Sequence, residues 1–155
     1  MTTKENVALV VRTADCCPVL MAAPGGIAAA HAGWRGVAQS VVPNTVEQLV
    51  ASAGCRPEEI RVLIGPTIGI KSYEVGLEVV EGIVETGVPE SSFSVRKDGK
   101  YHVDIGAAVA FQLRRMGVGH IVNLQMDTRS DTRLHSYRRD GVHSGRLAGL
   151  IVRYG

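Results

Sequence analysis

Residues 13–36 read Thr-Ala-Asp-Cys-Cys-Pro-Val-Leu-Met-Ala-Ala-Pro-Gly-Gly-Ile-Ala-Ala-Ala-His-Ala-Gly-Trp-Arg-Gly. Two apolar runs, 17–22 and 26–30, flank the Pro24-Gly25-Gly26 turn, and that pattern predicts a β-hairpin. Each strand of about six residues is roughly 20 Å long, so closing the hairpin brings its ends together and sets Cys16 near His31. A thiol and an imidazole at one sheet edge supply either a nucleophile with its base or two ligands of a zinc ion. The plain alternative is a buried structural cysteine and a hydrogen-bonded histidine. Asp15, Trp34 and Arg35 tip the balance, because they crowd the same end, where a strand has no need of them.

The rest of the composition sets limits. A chain of 155 residues is expected to form one domain, 1–155, with a real core. Apolar residues make up 45% and charged residues 21%, a globular balance. The net charge of +2 is spread along the chain and makes no electrostatic case for nucleic acid or an anionic membrane. The apolar runs are short and the start is polar, so neither a signal peptide nor a membrane span is expected. Three cysteines, two of them adjacent, make a poor disulfide framework and point to a reduced, cytoplasmic protein. The first strand-like run, Val7-Ala8-Leu9-Val10-Val11, is apolar on both faces and reads as a central strand. Its early position implies a compact small domain or a chain lacking an N-terminal part.

Downstream, Gly33 and Gly36 bracket Trp34-Arg35 and permit a close backbone approach. Val37 to Ala53 has helical spacing, with Pro43 as a kink or restart and Gly54 as the stop. The glycine-rich start of that helix, beside Arg35, is a weak anion-binding signal. Strands are expected at 60–64, 73–75, 120–124 and 148–152, and a helix at 77–86. A further hairpin turns at Asp98-Gly99. Asp104 is expected to cap a helix running to Met116. Residues 127–134 read as a polar loop, and His135-Ser136-Tyr137-Arg138-Arg139-Asp140 as a second polar cluster. Strands and helices mix without regular alternation, which predicts an α+β fold with a mixed sheet flanked by helices.

His31-Ala32-Gly33-Trp34-Arg35-Gly36, preceded by Thr13-Ala14-Asp15-Cys16 and followed by Ser136-Tyr137-Arg138-Arg139-Asp140, resembles one bacterial family. Ile64-Gly65-Pro66, Tyr73-Glu74-Val75-Gly76 and Ser144-Gly145-Arg146 match it too, in order. The family was long called multicopper polyphenol oxidase or laccase-like and is now regarded as a zinc-dependent purine nucleoside phosphorylase and adenosine deaminase family. The resemblance implies zinc bound by two histidines and a cysteine. Cys16 and His31 match two of these ligands. The third lies in a Gln-Val-His-Gly motif of an N-terminal region that has no counterpart in this chain. Asp127 stands where the family commonly has cysteine, His135 where it often has phenylalanine, and Thr67 where it often has cysteine or alanine.

The implied partners are a purine nucleoside and phosphate, and a homo-oligomer is also expected. A three-ligand zinc suits hydrolytic deamination, because its bound water is acidic near neutral pH. For phosphorolysis, Arg35 and Arg138 are the expected phosphate donors, and at least one of Arg138 and Arg139 is expected to be structural. Asp15 reads as a ligand-orienting residue, an acid–base group or a turn aspartate. His135 is the candidate stand-in ligand, while His102, His120 and His143 read as ordinary polar residues. Cys17 is expected in the core. A metal-free alternative is a cysteine deamidase of the kind typified by cytotoxic necrotizing factor toxins and chemotaxis receptor glutamine deamidases, using Thr13, Cys16 and His31. A third reading is an inactive member that self-associates through an uncovered sheet face. Copper-dependent phenol oxidation ranks last, since clustered copper ligands are lacking.

Overall fold

The computed structural model describes residues 1–155. β1 (Ala8–Thr13) leads into the hairpin of β2 (Cys17–Ala23) and β3 (Gly26–Ala32), closed by Pro24-Gly25. Gly25 takes φ +85°, the left-handed conformation a tight turn requires and glycine adopts without strain. The register pairs Cys17 with Ala32, Pro18 with His31 and Val19 with Ala30. Cys17, Val19 and Met21 are fully buried on one face, the period of two that a half-covered strand shows. Cys17 is therefore a core residue, as expected.

The helical stretch after the hairpin is two helices, α1 (Trp34–Ala38) and α2 (Val41–Ala53). The break comes at Gln39-Ser40, where Ser40 sits at φ +56°, and not at Pro43. Pro43 is the third residue of α2, a position whose N–H would have no partner within the helix. Gly54 ends α2 in the left-handed conformation, its N–H donating to the Val50 carbonyl. Val42, Val46 and Leu49 of α2 are fully buried, at the spacing that faces one side of a helix.

β4 (Arg61–Ile64) lies antiparallel to the free edge of β2. Next come β5 (Glu74–Val75), α3 (Leu77–Val84), β6 (Ser94–Lys97) and β7 (Lys100–Val103). These three strands form a small antiparallel sheet in the order β5-β7-β6. Its tight turn is Asp98-Gly99, both at positive φ, as such hairpins prefer. α4 (Ile105–Arg115) is capped by Asp104, whose side chain accepts from the Ala107 N–H at 2.8 Å. β8 (His120–Asn123) adds in parallel to β4, completing the order β3-β2-β4-β8. After the short α5 (Tyr137–Asp140), β9 (Leu147–Val152) closes the chain. This is the α+β architecture with a mixed sheet that the sequence implies.

β1 departs from expectation. It pairs only with β9, antiparallel from Ala8–Val152 to Thr13–Leu147, and is not central. Val11 and Thr13 are buried, whereas Ala8, Val10 and Arg12 are exposed. The continuous apolar run is thus half uncovered. On the same side of the molecule, Leu20, Leu63, Val122, Leu150 and Ile151 line an open, mainly apolar groove of about 720 Å³. Leu49 joins α2 to the hairpin at Gly26. Leu49→Ala should therefore lower unfolding stability by about 3 kcal/mol, seen as a lower urea midpoint at unchanged slope.

Candidate active site

Cys16 lies one residue before β2, so the hairpin register continues to Gly33 opposite it. A Cβ at Gly33 would stand only 3.0 Å from Cys16 Sγ, so this position needs a residue without a side chain. His31 follows two residues along, on the same face by alternation, at the diagonal position across the strands. Such diagonals separate Cα atoms by about 7–8 Å. His31 is exposed.

Cys16 lines a pocket of about 160 Å³ together with Asp15, Gly33, Trp34, Arg35, Ile68, Tyr73 and Ile105. Burial and the Asp15 carboxylate push the Cys16 thiol above its ordinary value. Burial likewise raises the Tyr73 phenol, against the pull of Arg138 and Arg35 and with Cys16 and Asp15 adding to it. One phenol thus senses both arginines, the thiol and the carboxylate.

Asp15 holds the surrounding loops together. Its backbone sits at φ +85°, outside the usual region for a residue with a side chain. Its carbonyl accepts from the Ile68 N–H at 2.9 Å and from Thr67 Oγ1 at 2.7 Å. Its carboxylate accepts from Thr128 Oγ1 and from the Arg138 N–H, each at 2.6 Å. Thr67 and Asp127 in turn bridge as a parallel continuation of β4 and β8. Three segments, at 67–68, 128 and 138, therefore meet on one residue.

The two arginines of the Ser-Tyr-Arg-Arg segment do different work. Arg139 donates to the carbonyls of Thr128, Arg129, Asp131 and Leu134 and pairs with Asp140 at 2.8 Å, so it stitches the 128–134 loop to α5. Arg138 extends over the Tyr73 ring, its Cζ 5.1 Å from the centroid, and donates once, to the Glu74 carbonyl. Arg35 stacks on Trp34 at 4.4 Å. Neither Arg35 nor Arg138 belongs to any ion pair; those involve Arg56, Lys100, Arg133, Arg139 and Arg153.

As donors, a cysteine thiol and an imidazole suit zinc in kind, but a catalytic zinc takes three protein ligands. No group of three His, Cys, Asp or Glu side chains is arranged to hold a metal. The His135 ring packs against Gly145 and does not line the Cys16 pocket. The donor set of this chain thus falls one short. His102 Nδ1 lies 3.2 Å from the Ile70 carbonyl, and His120 and His143 are exposed. The sequence places Tyr73 in a strand and in a family motif but gives it no role at the site, and it gives none to Thr128, which is fully buried. Nothing in a polar loop marks the one hydroxyl that will meet a distant carboxylate.

A family model described as "Multi-copper polyphenol oxidoreductase laccase" matches residues 1–154. A Deinococcus radiodurans protein called purine nucleoside phosphorylase is 38% identical over 154 residues, covering 97% of this chain and 59% of its own length. A Bacteroides thetaiotaomicron protein of the same name is 36% identical over 160 residues, again at 59% of its own length. The chain therefore spans about three-fifths of these relatives. The crystal structure of YlmD from Geobacillus stearothermophilus superposes with a TM-score of 0.90 at 31% identity, covering 99% of this chain and 59% of that one. A Neisseria meningitidis protein of the DUF152 family does so with a TM-score of 0.84 at 38% identity, covering 96% and 61%.

Two outcomes test the scaffold. Asp15→Ala removes both carboxylate hydrogen bonds and should cost about 3 kcal/mol of unfolding stability, with Asp15→Asn between it and the unsubstituted chain. Acid should loosen the 127–140 segment. The Arg133 side chain, helped by its N–H, holds the Asp131 carboxyl down at about 2, and Arg139 lowers Asp140. Burial raises Asp127, but hydrogen bonds from Ser72, Gly69 and Arg129 outweigh it and leave it lowered. A lowered carboxyl stabilises the fold above its unfolded value of about 4 and loses that contribution as pH falls toward its folded value. Urea midpoints should drop between about pH 4 and pH 2, and Asp131→Asn should make that drop shallower.

Proposed function

We propose, for a chain that belongs to the multi-copper polyphenol oxidoreductase laccase family, that the Cys16 pocket serves phosphorolysis of purine nucleosides. The observation that carries the reading is a pair of arginines free of ion pairs: Arg35 lines the small pocket, and Arg138 lies over Tyr73, which also lines it. Guanidinium groups bind phosphate in a bidentate way, through several charge-assisted hydrogen bonds. In phosphorolysis a phosphate oxygen bonds to the anomeric carbon as the bond from that carbon to the purine nitrogen breaks, and the leaving purine takes up a proton. Arg35 and Arg138 would hold the phosphate against the sugar. Asp15 would keep Arg138 in place, its carboxylate oxygens already engaged by Thr128 and the Arg138 N–H.

Adenosine deamination and zinc belong to the finer part of the reading. Cys16 and His31 would be this chain's ligands to the zinc, with the third donor coming from elsewhere. When bound, zinc would supply an acidic water suited to hydrolysis. Three free cysteines support a reducing, cytoplasmic setting, and residues 1–155 are read as one domain. No helix is long and apolar enough to cross a membrane.

The metal-free deamidase reading is weaker, because burial and the Asp15 carboxylate hold the Cys16 thiol above its ordinary value, and without a metal nothing offsets this loss of the thiolate a nucleophile needs. A non-catalytic, self-associating chain is favoured by one observation, the apolar groove lined by Leu63, Val122 and Leu150.

The test is phosphate-dependent release of free base from adenosine, inosine and guanosine, run beside elemental analysis for zinc. Arg35→Ala and Arg138→Ala should each raise the KM for phosphate about tenfold or more. About one zinc per chain, lost in Cys16→Ser, supports the ligand assignment. No base release, with Cys16 open to alkylation and ammonia freed from a glutamine peptide, would replace phosphorolysis by deamidation. No activity, with association that rises with concentration in sedimentation, would leave the non-catalytic reading.

A further inference from the structure

We propose that Tyr73 is the positioning residue for Arg138, fixing its guanidinium at the mouth of the Cys16 pocket before an anion arrives. The proposal rests on the phosphorolysis reading only in naming that anion as phosphate.

Arg138 is held at three points. Its N–H donates to Asp15, Nη1 donates to the Glu74 carbonyl at 3.1 Å, and Cζ lies 5.1 Å from the centre of the Tyr73 ring. That distance falls within the range over which a guanidinium is attracted to an aromatic face. Two of the three grips therefore come from adjacent residues, Tyr73 and Glu74. The small sheet in turn fixes this dipeptide. The Tyr73 carbonyl accepts from the Val103 N–H at 3.1 Å, Glu74 pairs in register with His102, and the Glu74 carboxylate meets Lys100 at 2.8 Å. The Tyr73 ring also packs against the buried core. The β5-β7-β6 sheet thus ends in a platform on which a flexible side chain lies in one place.

Arg35 is held differently. It rests on the ring of Trp34, its own neighbour in sequence, although both arginines are exposed. A guanidinium stacked only on its neighbour is free to swing, whereas Arg138 is fixed from a separate part of the fold. An arginine already ordered loses little further freedom on binding, so less of its interaction with a small anion is offset by ordering.

The test uses the whole chain, with the probe being inorganic phosphate. The Arg138 side-chain NMR signals should carry the ring-current shift of a guanidinium over an aromatic face. Tyr73→Phe should keep that shift and the phosphate affinity within about twofold. Tyr73→Leu should abolish the shift and weaken phosphate about fivefold. In an Arg138→Ala background, Tyr73→Leu should cost nothing further, because residues that act through one another are not additive. An Arg138 signal unshifted in the original chain, or unchanged by Tyr73→Leu, overturns the proposal. An equal loss with and without Arg138 overturns it too, since Tyr73 would then act on its own. A chain that shows the shift and its loss but binds no phosphate supports the Tyr73–Arg138 contact and overturns the phosphorolysis reading alone. Tyr73→Phe keeps the test decisive if Tyr73→Leu does not fold, because loss of the shift in the phenylalanine variant also overturns the proposal.

Discussion

The site depends on one carboxylate. Asp15 accepts from Thr128 Oγ1 and the Arg138 N–H at 2.6 Å each, while its carbonyl takes Thr67 Oγ1 and the Ile68 N–H. These partners lie on two separate loops and at the start of α5, and the loops would otherwise be surface connections free to move. Bonds to an ionised acceptor are roughly twice as strong as neutral ones. The strained φ of Asp15 is affordable only because four hydrogen bonds fix the residue from both ends.

That carboxylate sets the order in which the fold delivers its parts. The hairpin places Cys16 over Gly33, where no side chain would fit. Parallel pairing of β4 and β8 brings the 67 and 127–128 segments side by side. Asp15 then takes both, together with the start of α5, and Arg139 ties the 128–134 loop to the same helix. The small sheet comes in from the other side with Tyr73. No single element contains the site.

Local signals were legible, and long-range ones were not. The hairpin, the Asp98-Gly99 turn and the Asp104 cap each follow from short-range chemistry, and each is found. β1 misled because its apolar run records hydrophobicity on both faces, yet only Val11 and Thr13 of the inner face are covered. Pro43 reads as a kink or as the restart of a second helix, and the restart is what the structure shows, with Pro43 in the first turn of α2. At the site, the six-residue motif around His31 drew attention to Cys16, His31 and Arg35. The distinct roles of Arg138 and Arg139 were beyond sequence, since they depend on which carbonyls and rings the tertiary fold puts beside two adjacent, chemically identical side chains.

The electrostatics of the pocket explain why the arginines stay available. Asp15 is the only carboxylate that lines it, and it meets the backbone of Arg138 across the fold. Had its oxygens faced the guanidinium, the two charges would have satisfied each other and left a neutral surface. Instead a hydroxyl and a main-chain N–H occupy them, so the carboxylate secures the backbone of Arg138 and leaves its charge uncompensated. Arg35 remains beside it, also unpaired. Arg35 lines the pocket of about 160 Å³ and Arg138 lies over Tyr73, which lines it too; aromatic faces and one carbonyl hold these two like charges, but no carboxylate neutralises either. On the phosphorolysis reading proposed above, a phosphate would offset both charges at once.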